Sequence, residues 1–569
     1  MKSSHPKTLI PLLLVGLGFL LPATTIAHED HGPKIVDLSL MVAPEYPCTW
    51  PHPKFPYFHI DHYRKIGPSS AYNSDVLSMD GNTATQLDVP PHSVVRPELN
   101  FPKSGPYGTM YIDKAPAWQF GGEACVVDVK KLLNTSENGR SSLVERDHIK
   151  EWEKSHRPLS AGDVVLFRSG YSDQYYRPFP EGRRFIADAV DGKVPAWPAP
   201  SPDCMEYLAS KGVMTLGTDA PTMGPIPDLA EPTHYAGLKH GMIWTEGATG
   251  LDQLPDTGAF YCMFGPKHAG GPYGEGRAFG VLTDSLASRL IDSARKKNAL
   301  DLTVLLHPDY PVVWPGNGSG NHRHPYYRVD FWYAPTLDDY HHTHLFDSHA
   351  GTNLVPPSYA LPPEGFDNRE YDPEVQGWLA EYEGKYGSRG TSEVTTEKVP
   401  ISQTCGPARV ISVTHLIRTT DKANWPASPV IAPDDIKKYE EEHGDLHAGD
   451  IVIFHNNYTQ RFFKPLPEGK ACMEDPLNGL REGWPAPSAE TILYLADKGI
   501  RCVGTDGPTL GGVDPKNALM TYWALGSKGM VGVEFLTNVG SIPEEAYFLF
   551  ASVKVRDCHG GPGRAIALF

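Results

Sequence analysis

The sequence repeats itself once, in the same order of short segments, over most of its length. The recurring pairs are Asp37-Leu38-Ser39 with Asp301-Leu302-Thr303, Ala161-Gly162-Asp163 with Ala448-Gly449-Asp450, Trp197-Pro198-Ala199-Pro200 with Trp484-Pro485-Ala486-Pro487, and Gly217-Thr218-Asp219 with Gly504-Thr505-Asp506. Partners lie 264 residues apart at the start of the repeat and 287 residues apart later. Solenoid repeats recur every ~20–50 residues, so this long period indicates two copies of a whole domain.

The duplication predicts two domains, at 34–297 and 298–569, each large enough for its own core. A signal peptide is predicted ahead of them at 1–27, where two lysines precede an apolar run from Leu9 to Leu21 and small residues follow. This segment predicts a secreted or periplasmic protein, and an uncleaved anchor is the alternative. No later segment is long enough to span a membrane once the signal is removed.

Net charge and cysteine spacing argue against several kinds of partner and metal site. The formal net charge is -17, so we expect neither a nucleic-acid partner nor an anionic membrane surface. The eight cysteines allow too many pairings for a disulfide pattern to be deduced. No CxxC pair occurs, so a cysteine-bound zinc site is not expected.

Strand and helix patterns alternate within each copy. Val164–Phe167 is predicted to form a short buried strand, Pro202–Ala209 a helix capped by Ser201, and Val213–Gly217 the next strand. The same unit recurs in the second copy. Asp219 follows the strand directly, at the edge where α/β folds often expose their chemistry. The predicted fold class is α/β with mixed α+β character.

The stretch from Asn82 to His92 carries the clearest chemical signal. It resembles the signature His-x-Gly-Thr-His-x-Asp-x-Pro-x-His of the cyclase-like metal-dependent hydrolases, the family of bacterial kynurenine formamidase and isatin hydrolase. Asn82 and Gln86 stand where the signature has its two leading histidines. The Asp-Leu-Ser, Ala-Gly-Asp, Gly-Thr-Asp and closing Gly-Arg-Ala segments also follow in the family's order. The resemblance implies a tandem duplication of a swivelling β/β/α domain arranged as a pseudo-dimer, and leaves a higher oligomer open.

The resemblance also assigns roles to residues of the first copy. The family draws a His and a Glu, 12 residues apart, from its C-terminal part, and His234 and Glu246 have that spacing. It therefore implies metal binding by Asp88, His234 and Glu246, with help from Gln86, and acid–base catalysis by His92. This oxygen-rich set with one imidazole favours a single divalent ion, manganese or zinc, without a strong preference for zinc.

The second copy keeps only remnants of this pattern, His349 and Glu534. The other positions are taken by Asn353, Val355, Tyr359 and Tyr522. Valine cannot bind a cation, and tyrosine is a poor proton carrier near neutral pH. We therefore expect the second copy to be a degenerate partner and the first copy to be the active one.

These observations favour an enzyme that opens an amide, lactam or ester bond of a small molecule with the help of a metal ion, and an aromatic compound is one candidate substrate. Two alternatives stay open: a pseudoenzyme that only binds a small molecule, and a lyase or cyclase working on the same site. Metal content separates the binding protein from the enzymes.

A second concentration of histidines lies outside the signature. Its members are His322, His324, His341, His342, His344 and His349. Their spacing suits metal ligands, but the aromatic residues among them favour the interpretation as a solvated loop.

Overall fold

Each half of the chain builds one large mixed sheet, and the two sheets have the same strand order. The computed structural model describes residues 33–51, 57–316, 324, 327–333 and 340–569, apart from the side chains of 332 and 333. The predicted signal peptide and His322 lie outside these described residues. No helix within the described ranges is long and apolar enough to cross a membrane.

The elements of the first half alternate between short strands and helices. Its strands are β1 (Ile35–Asp37), β2 (His59–Arg64), β3 (Ser74–Asp80), β4 (Gln86–Asp88), β5 (Gly121–Asp128), β6 (Leu143–Val144), β7 (Asp163–Arg168), β8 (Ala199–Pro200), β9 (Thr215–Thr218), β10 (Ile243–Glu246), β11 (Phe260–Phe264), β12 (Tyr273–Glu275) and β13 (Arg277–Val281). Its helices are α1 (Arg146–Ser155), α2 (Tyr171–Tyr175), α3 (Ala187–Val190), α4 (Pro202–Ser210), α5 (Ala230–Leu238) and α6 (Asp284–Arg295).

The second half repeats this series. Its strands are β14 (Ala299–Asp301), β15 (Arg328–Tyr333), β16 (Tyr340–Asp347), β17 (Asn353–Val355), β18 (Cys405–Ser412), β19 (Val430–Ile431), β20 (Ile451–His455), β21 (Ala486–Pro487), β22 (Cys502–Thr505), β23 (Val531–Glu534), β24 (Tyr547–Ser552) and β25 (Gly561–Leu568). Its helices are α7 (Pro373–Tyr386), α8 (Pro433–His443), α9 (Tyr458–Phe462), α10 (Glu474–Leu477), α11 (Ala489–Asp497) and α12 (Pro515–Ser527).

The two large sheets correspond strand by strand. The first runs in the order β1-β13-β11-β5-β7-β9-β10-β4-β12, with β5, β7, β9 and β10 parallel. The second has β24-β18-β20-β22-β23-β17 in the matching places, and β25 pairs with β14, β24 and β17. The predicted α/β fold and its tandem duplication are therefore confirmed.

Local sequence explains the helix before the central strand β9. The Ser201 hydroxyl accepts a hydrogen bond from the Cys204 amide at 3.2 Å, and Pro202 occupies the first turn, as an N-terminal cap requires. Gly212 ends the turn that follows with φ at +79°, a conformation that glycine adopts without steric cost. All eight cysteines are buried and unpaired, so no disulfide bond contributes to the stability of these elements.

A smaller sheet joins the two halves. It runs β15-β16-β3-β2, so that each half contributes one pair of strands. β3 and β16 are antiparallel, with Asp80 opposite Thr343 and Val76 opposite Asp347. Leu77 belongs to a buried core that also holds residues of the second half. This exchange of strand pairs brings side chains of each half into the other.

Ion pairs repeat across the boundary between the halves. Asp37 and Asp301 occupy the same place in β1 and β14, and each takes an arginine from its own half and a lysine from the other. The distances are 2.9 Å to Arg277 and 2.9 Å to Lys554 for Asp37, and 2.6 Å to Arg564 and 2.9 Å to Lys267 for Asp301. Such reciprocal contacts are those of a two-fold dimer interface, here within one chain.

Candidate functional site

Strand pairing brings the predicted residues of the first half together. β4 lies antiparallel to β10, with Asp88 opposite Trp244 and Gln86 opposite Glu246. Directly opposed residues point to one face of a sheet, so both acidic side chains share a face. His234 reaches that face from α5, which packs beside it.

One imidazole nitrogen lies between two carboxylates. His234 Nε2 is 3.3 Å from Glu246 Oε1 and 3.5 Å from Asp88 Oδ2. Its other nitrogen, Nδ1, donates a hydrogen bond to the Ala230 carbonyl at 2.7 Å. This second contact fixes the ring and directs Nε2 to the carboxylates, the arrangement usual for a metal-binding histidine.

Glu246 is fixed by hydrogen bonds from both sides. Its Oε1 accepts from the Met223 amide at 2.6 Å, the Thr222 hydroxyl at 3.0 Å and the Trp244 indole at 3.2 Å. Its Oε2 accepts from the Gln86 amide nitrogen at 2.7 Å. The carboxylate is therefore preorganised, and the Gln86 carbonyl is oriented by the same contact.

Three buried oxygen atoms beside this group have no hydrogen-bond partner among the described residues: Asn82 Oδ1, Gln86 Oε1 and Asp88 Oδ1. A buried acceptor without a partner costs about 1–3 kcal/mol, and more if it is charged. All three belong to positions that the signature uses for metal ligands. Oxygen acceptors that converge on a carboxylate and an imidazole suit a divalent cation, so the residues present fit a metal ion.

The buried group of Asp88, His234 and Glu246 has two acidic side chains and only one that can carry a positive charge. Burial alone would lower the pKa of His234, but Asp88 and Glu246 raise it well above its ordinary value. Burial, and then the neighbouring Glu246, raise the pKa of Asp88. Two buried carboxylates thus share one imidazole, and a divalent cation would neutralise the excess negative charge.

His92 lies beside this group and is partly buried. Its Nδ1 is 3.3 Å from the Tyr340 carbonyl, which can only accept, so Nδ1 carries a proton and Nε2 is the basic nitrogen of the neutral ring. The rings of His92 and His234 are 5.5 Å apart between centroids. Ligand atoms of Asp88, His92 and His234 all lie within 4.8 Å of one another, so His92 also stands within reach of a shared cation.

Three further side chains lie around His92: Tyr273 and Asp80, which the sequence analysis did not single out, and His341, which it assigned to a solvated loop. The Tyr273 hydroxyl is 3.0 Å from His341 Nδ1 and 3.4 Å from Asp80 Oδ1. Burial raises the pKa of Asp80 to about 7. The His341 ring lies 5.7 Å from that of His92 and comes from β16 of the second half. No local pattern signals this residue, because only pairing of β16 with β3 brings it here.

The second half holds no comparable cluster at the equivalent positions. The Tyr522 hydroxyl donates to Glu534 Oε1 at 2.5 Å, and burial raises the pKa of Glu534 to about 7. Val355 offers no ligand, and the Tyr359 ring lies 4.5 Å from that of His349, with the two planes tilted by 47°. A cavity of about 140 Å³ remains beside them, with Arg64 of the first half in its wall.

Two interpretations from the sequence are wrong. His341, His342 and His344 are buried on β16, so they do not belong to a solvated loop. The reason is that β16 pairs with β3 of the first half, and no local sequence pattern indicates this pairing. Asp219 is fully buried, and its carboxylate accepts from the Ser169 and Gly170 amides at 2.9 Å and 2.6 Å, so it closes a turn instead of facing a substrate.

The chain is similar in sequence to several known proteins. A sequence model of the family described as "Putative cyclase" matches residues 36–225 and 300–511. An isatin hydrolase of Roseibium aggregatum is 28% identical over 212 residues, which cover 36% of this chain and 73% of that protein. A kynurenine formamidase of Salinibacter ruber is 28% identical over 215 residues, covering 37% of this chain and 81% of its own. A crystal structure of an isatin hydrolase bound to the product analogue thioisatinate covers 51% of this chain and 99% of its own, with 20% identity and a TM-score of 0.38.

Proposed function

The chain belongs to the putative cyclase family, and on that premise we propose that its first half is a metal-dependent hydrolase that opens an amide C–N bond in a small molecule. The relatives named isatin hydrolase and kynurenine formamidase support a cyclic or formylated aromatic amide as the substrate. The convergence of Asp88, His234 and Glu246 beside three unpaired buried oxygens carries the proposal.

Asp88, His234 and Glu246 would hold the ion, with the Gln86 carbonyl beside them. Oxygen ligands dominate this set, so manganese or zinc is the proposed metal. When bound, the ion supplies a Lewis acid that polarises the substrate carbonyl. The hydrogen bonds to Glu246 hold its carboxylate in place before any substrate arrives.

His92 would carry the proton in this reaction. Because the Tyr340 carbonyl holds Nδ1–H, Nε2 takes a proton from the water that attacks the amide carbon. The C–N bond then breaks, and Nε2–H returns the proton to the leaving nitrogen. The products are an amine and a carboxylic acid, which then releases its proton to water, and His92 is restored.

The domain at 34–297 would be the catalytic one and the domain at 298–569 a non-catalytic partner. We also propose, from the predicted signal peptide at 1–27, that the protein acts outside the cytoplasm. The second half keeps a cavity of about 140 Å³ in which Arg64 Nε and His349 Nε2 have no hydrogen-bond partner among the described residues. This observation favours binding of a small anion there without turnover.

Hydrolysis of isatin and of the formamide of kynurenine tests the function, with metal content measured on the same samples. We expect His92→Ala to lose about 10²–10⁴-fold in rate and to keep its metal, as a lost general acid–base does. Asp88→Asn should lose the activity and the ion that this group of residues holds. Tyr359→Phe, the equivalent position of the second half, is the matched control and should keep both. A metal-free wild type without activity on either substrate, or a fully active His92→Ala protein, would contradict the proposal.

A further inference from the structure

A second group of potential ligands lies buried between the two halves. It comprises His268 and Glu275 from the first half and His342 and His344 from β16 of the second, and we call it the interface cluster. Its side chains are excluded from solvent. None of the four belongs to the signature or to its counterpart in the second copy.

Glu275 stands at the centre of the interface cluster. Its Oε1 is 3.0 Å from His268 Nε2 and 3.2 Å from His344 Nε2. The ligand atoms of these three residues all lie within 4.8 Å of one another. Ligands around a tetrahedral zinc ion at 2.0–2.1 Å stand about 3.3 Å apart, so the spacing needs only small side-chain movements to enclose an ion.

Hydrogen bonds satisfy only part of the interface cluster, namely the two nitrogens of His268 and Glu275 Oε1. Both nitrogens of His342, His344 Nδ1 and Glu275 Oε2 have no hydrogen-bond partner among the described residues, and His344 Nε2 has only its 3.2 Å ion-pair contact with Glu275 Oε1. Each neutral imidazole has a donor and an acceptor, and each buried polar atom left unpaired costs about 1–3 kcal/mol. A cation would use the acceptor nitrogens and the carboxylate at once.

Surrounding contacts fit the same interpretation. His268 Nδ1 is 2.8 Å from the Tyr327 hydroxyl, which can fix the ring with Nε2 toward Glu275. The rings of His268 and His344 stack at 4.4 Å, and the His342 ring is 5.4 Å from that of His344. His342 lies next to these three residues, but it is not one of the side chains whose ligand atoms lie within 4.8 Å of one another, so its ring would have to move to supply a fourth ligand.

We propose that the interface cluster binds one divalent transition-metal ion, zinc or an ion of similar preference, which joins the two halves. Two imidazoles and one carboxylate, with the His342 imidazole next to them, form a nitrogen-rich and fully buried set, as in a structural site. The cluster is separate from the candidate catalytic group, because the Tyr273 ring stands between them, 5.0 Å from His342 and 5.0 Å from His92.

A metal-free ion pair of Glu275 with His268 is the competing explanation for the interface cluster. The group of His62, Asp75 and His559 is an ion pair of this kind, and it serves as the control. There the carboxylate accepts from both rings, at 2.5 Å and 3.1 Å, and from the His559 amide at 2.6 Å. His62 is also partly exposed. We expect no ion in that group.

Metal content of the full-length protein tests the proposal. The wild type should carry two ions per chain, Asp88→Asn one, His344→Gln one, and the double variant none, while His62→Gln should match the wild type. Glu275→Gln should behave as His344→Gln. Removal of the interface ion should also lower the melting temperature in the Asp88→Asn background. An Asp88→Asn protein without metal, or a His344→Gln protein with the wild-type content, would overturn the proposal.

If the His344 and Glu275 variants do not fold, a second experiment still tests the proposal. Asp88→Asn protein stripped with a chelator is then titrated with Co²⁺. One equivalent with the visible absorption of a tetrahedral Co²⁺ site supports the interface cluster, whereas no bound Co²⁺ refutes it. Because this protein lacks the catalytic site, the result is independent of the proposed hydrolase activity.

Discussion

At the scale of single residues, Gln86 stands where the family signature has a histidine, and this difference should affect which metal ion the site prefers. Gln86→His should raise the affinity for zinc relative to manganese by about tenfold or more, because a nitrogen ligand replaces a neutral carbonyl. Competition titration of the two ions measures the ratio. The variant loses the hydrogen bond from Gln86 to Glu246, so Gln86→Leu is the control for that loss. An unchanged ratio would exclude position 86 from the ion's ligands.

Glu534 gives a pH-dependent prediction. Burial raises its pKa from 4.5 to about 7 in the folded protein, so the folded state holds the proton more tightly than the unfolded chain. The contribution to stability is complete below pH 4.5 and is lost as the pH rises through 7. The difference corresponds to about 3 kcal/mol. Glu534→Gln should therefore stabilise the protein at pH 8 by up to that amount and leave stability at pH 4 nearly unchanged, as denaturant unfolding would measure. Equal effects at both pH values would contradict this.

At the scale of elements, strand β16 serves both candidate sites. Side chains alternate along a strand, so His341 points to one face and His342 and His344 to the other. His341 meets Tyr273 beside His92, while the other two meet Glu275. One strand of the second half thus completes the surroundings of two groups in the first.

This strand also shows where sequence reasoning stops. Local signals predicted α4, whose cap at Ser201 is observed, and the repeat predicted that both halves share one strand order. The spacing of His234 and Glu246 selected residues that the structure brings together, and their ligand role remains a prediction. The position of His341 beside His92 could not be predicted, because it depends on pairing β16 with β3, more than 260 positions apart in the chain.

Because β16 of the second half pairs with β3 of the first, we expect catalysis in the first half to depend on the second half. His341→Phe should lower the turnover rate by about tenfold, since the Tyr273 hydroxyl beside His92 loses the shortest of its contacts, at 3.0 Å, and should leave the metal content unchanged. Arg328→Gln on the neighbouring β15 is the control, because that side chain is exposed. Wild-type kinetics in His341→Phe would show that the strand contributes only packing.

At the scale of the whole molecule, the two halves depend on each other. Asp37 and Asp301 each rely on a lysine of the other half, and β3 has β16 as its neighbour in the small sheet. Apolar side chains on these strands, Leu77, Met79 and Phe346 among them, are buried together. A fused dimer of this kind keeps its interface in a fixed one-to-one ratio, which allows one copy to lose ligands while it supports the other.

Separate expression of the halves tests this dependence. Residues 33–297 alone should aggregate or unfold, because β2 and β3 lose β15 and β16 and their apolar faces meet water. The same polypeptide expressed together with 298–569 should form a one-to-one complex with a cooperative melting transition, since the reciprocal ion pairs and the shared sheet need no covalent link. Size-exclusion chromatography with light scattering gives the mass, and circular dichroism gives the transition. A stable monomer of 33–297 that melts at the temperature of the full chain would show that the halves are independent domains.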